Sequence, residues 1–430
     1  MLGDTYADEM KFVPRRHPRA LSRRNHALPP VFVLVAAFTC KIPNDSRAMS
    51  PPPKDVLLVG YGAVGAIYSL ILKNSGRARV TAVARSNYAA VSAHGMEFRS
   101  KKYGDIVGWR PDRVCASVAD ASDRAYDYVV VTTKAIPELA RTPALLAPLL
   151  APAYARAHAQ PTYVLFQNGL NVERDLHAAV AALGRAPRII STAVYISTAM
   201  LGANVVRHET FDRVSLGVYR LDDYTTATNS EGEQALLDDF AGLLEDGGST
   251  VTVVPEIQRV KYAKNFWNVA FSSIGALTRH SPAAIFSLPT TAAAPTSPPS
   301  DTPALARIPP SVSQAPLITQ HTLPAIRALM HELLALGRAL GFPDDADGGL
   351  PAGFPDALIE STRELHLAPG AAHRPSMLVD LDNGRPIEVE VILGEVVRMA
   401  RARGVDVPRV EMLYAMLLVV QNQLLQSSGN

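Results

Sequence analysis

Residues 56–65 read Val56-Leu57-Leu58-Val59-Gly60-Tyr61-Gly62-Ala63-Val64-Gly65, an apolar run of strand character that enters a G-x-G-x-x-G turn. The next residues, 66–72, have helical character. In a strand–turn–helix of this kind, the first glycine permits the turn, the second lets the backbone approach a pyrophosphate, and the third lets the helix pack close to the strand. Free N–H groups at the start of the helix attract phosphate. The flanking strand and helix make the pattern stronger than a glycine-rich turn alone. It predicts dinucleotide binding by Gly60, Gly62, Ala63, Val64 and Gly65.

The second predicted strand, residues 79–84, bears on the choice of cofactor. It ends in Arg85-Ser86-Asn87, where an NAD-binding unit would normally place Asp or Glu to hold the ribose hydroxyls. A guanidinium instead suits a 2′-phosphate, because it can pair with two phosphate oxygens at once. Arg85 therefore favours NADP, and the alternative is an ordinary solvated arginine at a strand end.

Composition limits the classes of function. The 430 residues are 48% hydrophobic and 19% charged, which is typical of a globular protein long enough for two domains. The formal net charge of +2 gives no reason to expect nucleic acid or an anionic membrane as a partner. The two cysteines, Cys40 and Cys115, have no metal-ligand spacing, so we expect no metal and a reducing compartment. No apolar run approaches the roughly 20 residues needed to span a bilayer.

Two segments differ in composition from the rest of the chain. Residues 1–53 are predicted to be a disordered extension, in which several arginines precede a short apolar run at 31–38. The leader is too long for a secretory signal and carries acidic residues that mitochondrial presequences avoid. Met49 is an attractive alternative start, so we expect a cytoplasmic protein, or a mitochondrial one if the arginine-rich part is a targeting segment. Residues 287–313 are dense in Pro, Thr, Ser and Ala and are predicted to be an exposed, mobile insertion.

The remaining sequence divides at Pro255 into an α/β part, residues 54–254, and a helical part, residues 255–430. The α/β part is predicted to contain strands at 126–134, 162–166, 188–195 and 250–254 and a helix at 231–244, with an irregular stretch through Arg113 and an antiparallel pair at 205–208 and 213–218. The helical part is predicted to contain helices at 257–277, 323–340, 355–365 and 410–425, and another that ends at Arg401.

Polar residues in apolar surroundings are the candidates for a site. Lys134 and Asn168 follow predicted parallel strands, and ligands bind at that edge of an open α/β sheet. The alternatives are a surface lysine and a turn-forming Asn-Gly. Lys261, Asn265 and Asn268 share one face of a predicted helix, which favours a cleft over a core or a solvated surface. Another candidate, Glu388, lies in an apolar helical pattern, where a carboxylate needs a partner or a purpose.

These residues together resemble the ketopantoate reductase (2-dehydropantoate 2-reductase) family, in the form of its fungal members. The resemblance covers roughly residues 55–425 and is interrupted by the insertion. Its ordered anchors are the Gly60/Gly62/Gly65 turn, Arg85-Ser86, Thr133-Lys134, Asn168-Gly169, Lys261 with Asn265, Ser376-Met377-Leu378 and Ile387-Glu388. It implies a Rossmann-type domain followed by an all-α domain like the C-terminal domain of 6-phosphogluconate dehydrogenase.

The resemblance also implies a role for each matching residue. Lys261 corresponds to the catalytic lysine that protonates the carbonyl oxygen. Glu388 corresponds to the glutamate that hydrogen-bonds the substrate hydroxyl, and it counts among both the catalytic and the cofactor-binding residues. Further roles are substrate contact for Asn265 and Ser376, bridging of cofactor and substrate for Asn168, and binding of the 2′-phosphate and adenosine for Arg85 and Lys134. Asn268 is the nearest candidate for a second substrate amide, one position earlier than the family pattern, which leaves the identity of the substrate open.

The activity implied is the NADPH-dependent reduction of 2-dehydropantoate to pantoate in pantothenate and coenzyme A biosynthesis. A homodimer is one assembly to expect. Two alternatives stay open: a relative that reduces another 2-keto acid in specialised metabolism, and a non-catalytic sensor that only binds NADP. The pair Lys261 and Glu388 argues against the sensor, because binding alone requires no proton donor.

Overall fold

The predicted strand and helix around the glycine turn are confirmed as β1 (Lys54–Val59) and α1 (Ala63–Asn74) in a computed structural model of the chain. The structure describes residues 52–286, 317–345, 348–369, 371 and 373–428. The predicted insertion at 287–313 and all but the last two residues of the predicted extension at 1–53 lie outside the described residues.

A ten-stranded sheet forms the α/β part, with the order β4-β3-β9-β8-β7-β6-β1-β2-β5 and β10 beside β9. Its other strands are β2 (Ala78–Val83), β3 (Met96–Ser100), β4 (Gly104–Trp109), β5 (Arg113–Cys115), β6 (Tyr128–Val131), β7 (Thr162–Leu165), β8 (Ile189–Met200), β9 (Val205–Val218) and β10 (Thr250–Val253). Among the strands of the described residues, only the pairs β3–β4 and β8–β9 are antiparallel. Strands β6 and β7 are buried along their whole length, as expected where helices cover both faces of a parallel sheet. The Rossmann-like arrangement predicted from the glycine turn is therefore confirmed.

Two predictions about strands are wrong. The stretch predicted to be irregular through Arg113 contains the hairpin of β3 and β4, whose outer strand is largely exposed and so lacks an apolar pattern. The predicted antiparallel pair at 205–208 and 213–218 is the single strand β9. Asp212, one of the polar residues that interrupted its pattern, is buried, and it accepts hydrogen bonds from Lys102 at 2.9 Å and from Tyr103 at 2.7 Å.

Helices pack on the sheet in the α/β part, and the described elements that follow β10 are all helices. Those of the α/β part are α2 (Tyr88–His94), α3 (Thr142–Leu145), α4 (Ala147–Leu150), α5 (Pro152–Ala157), α6 (Arg174–Ala182) and α7 (Glu231–Asp246). The helical part contains α8 (Ile257–Trp267), α9 (Ser273–Thr278), α10 (Ala283–Phe286), α11 (Leu323–Ala339), α12 (Phe354–Leu367), α13 (Ser376–Asp382), α14 (Glu395–Arg403) and α15 (Pro408–Ser428). An N-terminal Rossmann-like domain followed by a helical one is the predicted architecture. The boundary predicted at Pro255 stays a prediction. No helix among the described residues is long and apolar enough to cross a membrane.

The predicted helix at 257–277 is continuous but not regular. Between α8 and α9 the backbone makes one π-helical turn, Asn268–Ser272. Similar turns precede α11 at Ile318–Thr322 and α14 at Glu390–Gly394. Single π turns inside helices are frequent at functional sites. Two of the three lie beside the cleft described below.

One face of the sheet shares its apolar core with the helical part. Leu57, Val129 and Leu165 belong to the same buried cluster as Phe266 of α8 and Ile392 of the third π turn. A second cluster, on the opposite face, packs β1 and β6 against α1 and α7. The continuous core therefore fixes α8 directly above the carboxyl edge of the sheet.

The close approach of α1 to β1 gives a stability prediction. A Cβ at Gly65 would lie 2.0 Å from the backbone oxygen of Gly60 and 2.6 Å from Oγ1 of Thr132, so a side chain there must displace backbone. We expect Gly65→Ala to lower the free energy of unfolding by about 1–3 kcal/mol, the usual cost of overpacking. Urea unfolding of the purified protein measures this.

Gly62→Ala is the matched control. A Cβ at Gly62 meets nothing within 4 Å, and its φ of −79° suits any residue. Its free energy of unfolding should change by no more than about 0.5 kcal/mol. Equal losses in the two variants would contradict the packing argument.

Candidate functional site

The loop between β1 and α1 leaves open space at the carboxyl edge of the sheet. Gly60 has a φ of +104°, and a Cβ there would meet the backbone nitrogen of Thr133 at 2.7 Å. The space above Gly62 is open, and Gly62 is the N-cap of α1, whose first turn (with Ala63 and Val64) contains no acidic residue. Its unpaired N–H groups and helix dipole suit an anion. This geometry fits the pyrophosphate of a dinucleotide.

Arg85 follows β2 at the same edge. Its side chain is exposed, and none of the described residues forms an ion pair with it. The loop beside it is tied down by Asn87, whose Nδ2 donates to the backbone oxygen of Tyr61 at 2.8 Å. A free guanidinium next to a fixed loop could hold a 2′-phosphate.

A cleft of about 190 Å³ lies between the sheet edge and α8. Its lining residues are Gln167, Asn168, Gly169, Thr192 and Ala193 from the sheet side, and Lys261, Lys264, Asn265 and Asn268 from α8 and the turn after it. Four of the predicted site residues, Asn168, Lys261, Asn265 and Asn268, thus share one cavity. Their individual roles stay predictions.

Lys261 is buried and paired. Its Nζ lies 2.5 Å from Oε1 of Glu173 and 3.2 Å from Oγ of Ser191, and Ser191 donates a hydrogen bond to the same carboxylate. Lys261 also lines a second cavity, of about 260 Å³, that contains Gln258 and Tyr262. The ammonium is therefore charge-compensated and lies between two open spaces. Sequence reasoning missed Glu173, whose only signal was an acid shortly after the Asn-Gly turn.

Lys264, one turn from Lys261, was not among the predicted site residues. Its Nζ donates to Oδ1 of Asn168 at 2.6 Å and lies 5.5 Å from the centre of the Tyr195 ring. Burial of the Lys264 side chain lowers its pKa to about 8. The charge of Lys261 also lowers this pKa, and the carboxylate of Glu388 raises it. Part of the side chain stays accessible from the cleft. A second lysine so placed is a group that can change its charge near neutral pH.

Glu388 reaches the same place from the helical part. Its carboxylate accepts hydrogen bonds from the backbone nitrogen of Ala135 at 3.2 Å and from Nδ2 of Asn168 at 3.3 Å. The partner that a buried carboxylate requires is therefore present. Asn168 contacts both Lys264 and Glu388, which connects α8 with the segment that precedes α14.

Two amide oxygens in the cleft have no partner among the described residues. Asn265 donates through Nδ2 to the backbone oxygen of Ile392 at 2.9 Å, which leaves its buried Oδ1 unpaired. Gln167, which the sequence reasoning missed, donates to the backbone oxygen of Thr133 at 2.9 Å and leaves its Oε1 unpaired. A buried unpaired polar atom costs about 1–3 kcal/mol. Ligand hydroxyl or amide donors would remove that cost.

Two predicted site residues lie elsewhere. Lys134 forms an ion pair with the buried Asp380 of α13, and burial lowers the pKa of this lysine. It therefore ties the sheet edge to the helical part. Ser376, the first residue of α13, is exposed and does not line the cleft. The cofactor and substrate roles of these two residues stay predictions. No cluster of metal-ligating side chains occurs in the part of the chain that the structure describes.

Comparison with known proteins gives matches along most of the chain. Residues 56–220 match the family model described as Ketopantoate reductase PanE/ApbA, and residues 312–421 match its C-terminal counterpart. An uncharacterised protein of Saccharomyces cerevisiae is 27% identical over 383 residues, which are 87% of this chain and 95% of the relative.

Solved structures are similar over the same extent. The 2-dehydropantoate 2-reductase of Methylococcus capsulatus is 25% identical with a TM-score of 0.64, over 86% of this chain and 97% of that one. The ternary structure of D-mandelate dehydrogenase with NADH and anilino(oxo)acetate has 15% identity and a TM-score of 0.63, over 86% of this chain and 99% of that one. The latter likeness shows the fold alone.

The buried pair of Lys261 and Glu173 gives a second stability prediction. Glu173→Gln leaves an ammonium buried without its counter-charge, and breaking such a pair from one side costs about 3–5 kcal/mol. We expect a loss of that size in the free energy of unfolding at neutral pH. Adding Lys261→Met should restore much of it, because no unpaired charge is left. A double variant less stable than Glu173→Gln would show that the unpaired charge is not the cause.

Proposed function

Because this chain belongs to the ketopantoate reductase family, we propose that it catalyses the NADPH-dependent reduction of 2-dehydropantoate to pantoate. The resemblance drawn from its motifs is confirmed at the level of the family, and with it an oxidoreductase acting on a CH–OH group. A nicotinamide dinucleotide as its cofactor belongs to the proposal. The observation that carries the proposal is the cleft itself. It places two lysines, Asn168 and Glu388 together at the sheet edge that follows the dinucleotide loop.

The cofactor would be held by the opening above Gly62 and by Arg85, both of which fit anionic groups. Bound there, it would supply a hydride to the 2-keto carbon. The protein's task is to give the developing alkoxide a proton and a nearby positive charge. Lys261 can do both from its position in the cleft. Glu173 and Ser191 hold its side chain in place through hydrogen bonds to Nζ.

Glu388 gives the proposed enzyme its selectivity for hydroxylated 2-keto acids. We propose that its carboxylate accepts a hydrogen bond from a substrate hydroxyl, as 2-dehydropantoate would provide. The unpaired Oδ1 of Asn265 is a separate acceptor, open to a different donor of the bound ligands. A keto acid without that hydroxyl would not form this bond to the buried carboxylate, and sites built to bond a substrate hydroxyl strongly reject the analogue that lacks it.

Reduction of another 2-keto acid is the second candidate. The observation that favours it is Lys264, a further cation in the cleft where the resemblance supplies no role. A non-catalytic NADP sensor is the weaker alternative, because Lys261 and Glu388 would then have no use.

The proposed setting is pantothenate and coenzyme A biosynthesis in the cytoplasm. The proposed assembly is a homodimer. Met412, Met416 and Val419 share one face of α15 and are strongly exposed, an apolar stripe that a second copy of the chain could cover.

The decisive assay is oxidation of NADPH or NADH by the purified protein with 2-dehydropantoate and a panel of simpler 2-keto acids. We expect NADPH with 2-dehydropantoate to give the highest kcat/KM. Arg85→Asp should weaken NADPH binding by about 1.5–3 kcal/mol, the worth of a charge-assisted hydrogen bond, and leave NADH binding much less affected. Equal use of NADPH and NADH by the unmutated protein would show that Arg85 does not select the cofactor.

Lys261→Ala tests the proton donor. We expect kcat to fall about 10²–10⁴-fold, the range for a lost general acid, with NADPH affinity nearly unchanged. Glu388→Ala should instead mainly raise KM for hydroxylated keto acids, as lost ground-state binding does. Unfolding curves must first show that both variants are folded. A folded Lys261→Ala with near-original kcat would exclude this lysine as the acid.

A further inference from the structure

The ion pair of Lys261 and Glu173 separates two spaces. Lys261 lines both the cleft and the second cavity, whereas Glu173 lines the second cavity and not the cleft. The side chains around the second cavity are buried, except that of Asn171, which is partly exposed. The cavity therefore approaches solvent at Asn171. From the cleft outward, the order is Lys261, then Glu173, then the cavity.

The second cavity has the room and the polar groups that a water molecule requires. Its volume is about 260 Å³, and one molecule of liquid water takes up about 30 Å³. Besides Glu173 and Lys261, the amides of Asn171 and Gln258 line it, and a buried water needs two to four such partners. Lys261 and Ser191 both bond to Oε1 of Glu173, so Oε2 takes no part in these bonds.

Reduction of a 2-keto acid consumes one proton in each turnover. The alkoxide oxygen takes that proton from Nζ of Lys261, which leaves a neutral amine that must be protonated again. With cofactor and substrate bound, the cleft side of Lys261 is covered by the ligands. Its other side faces Glu173, whose Oε1 lies 2.5 Å from Nζ. A proton supplied from that side does not have to pass the ligands.

We propose that Glu173 is a proton relay, which returns the consumed proton to Lys261 from water in the second cavity. The inference rests on the proposed function and adds the route by which the enzyme is reset. A hydronium ion in the cavity gives a proton to the Glu173 carboxylate and becomes water. The O–H bond of the resulting carboxylic acid then breaks as an N–H bond forms on the Lys261 amine. Ammonium and carboxylate are restored, and solvent has supplied one proton.

Glu173→Gln tests the relay, because glutamine keeps the size of the side chain but does not carry a proton. For a 2-keto acid that the unmutated protein reduces, we expect kcat to fall about 10–100-fold with KM nearly unchanged, at or below the low end of the range for a lost proton-transfer group. Raising the concentration of imidazole buffer at constant pH and ionic strength should restore part of the loss, since a small buffer acid replaces the relay. A residue that only shapes the site would give no such dependence on buffer.

Glu332→Gln is the matched control. Glu332 of α11 is also a buried acid in an ion pair, with Arg409 at 2.9 Å, and it lines neither cavity. This variant should keep the kcat of the unmutated protein and show no dependence on buffer concentration. Urea unfolding establishes beforehand that both glutamine variants are folded under the assay conditions.

Met399→Trp tests the same route from the solvent side, and it decides the matter if Glu173→Gln does not fold. Met399 of α14 lines the second cavity but not the cleft, so added bulk there displaces water and leaves the ion pair of Lys261 and Glu173 in place. Protein preloaded with NADPH is mixed with the keto acid in a stopped-flow instrument. The first turnover uses the proton already on Lys261 and should keep its rate, whereas later turnovers should become slower.

A folded Glu173→Gln with the original kcat, or with a lowered kcat that no buffer concentration raises, would overturn the relay. Equal slowing of first and later turnovers in Met399→Trp would also overturn it, because the effect would then lie in the shape of the cleft. If the unmutated protein reduces no 2-keto acid, the proposed function fails, but NMR of isotope-labelled lysine still tests the route. Hydrogen exchange at Nζ of Lys261 should then be slower in Met399→Trp than in the unmutated protein, and equal rates would reject the route.

Discussion

The site depends on one side-chain amide. Asn168 accepts a hydrogen bond from Lys264 through its oxygen and donates one to Glu388 through its nitrogen. A carboxamide can do both at once, from two different atoms and without adding charge. With these two bonds the sheet edge, α8 and the segment before α14 come together at a single point. An aspartate there would lose the donor to Glu388. An aliphatic residue would lose both contacts, which would leave the ammonium of Lys264 without this acceptor and Glu388 with only the N–H of Ala135.

Tightly packed apolar residues around the site hold these buried polar groups in position. The apolar cluster that runs from β1, β6 and β7 into the helical part holds α8 in position. The polar groups of the cleft that lack a full set of protein partners therefore indicate where a ligand would bind. The oxygens of Asn265 and Gln167 and the ammonium of Lys264 are held in the cleft with incomplete partners. A site organised in advance of its ligand leaves less reorganisation for the moment of binding.

Predictions from the sequence were correct where residue chemistry and local periodicity indicated the same structure. The glycine turn predicted β1 and α1, and the spacing of Lys261, Asn265 and Asn268 predicted residues that meet in one cleft. The failures were non-local. Glu173 pairs with Lys261, 88 positions away in the chain, and Asp380 pairs with Lys134, 246 positions away. The residues next to each lysine in the sequence give no sign of which acid it pairs with. Strand β9 was divided in two because the partners of Asp212, more than a hundred residues away, are what make its burial tolerable.

The π turn after α8 has a consequence for how this helix is compared with its relatives. A π turn holds one residue more than the corresponding α-helical turn, and each residue advances an α-helix by about 100°. Upstream of Asn268 the cleft-facing positions keep ordinary spacing, and downstream they are displaced by one place in the chain. Where a relative lacks this π turn, a gapless alignment through the helix would pair inward-facing residues of one protein with sideways-facing residues of the other. Substrate specificity inferred from such an alignment would be assigned to the wrong side chains. A one-residue gap placed at the π turn corrects the alignment.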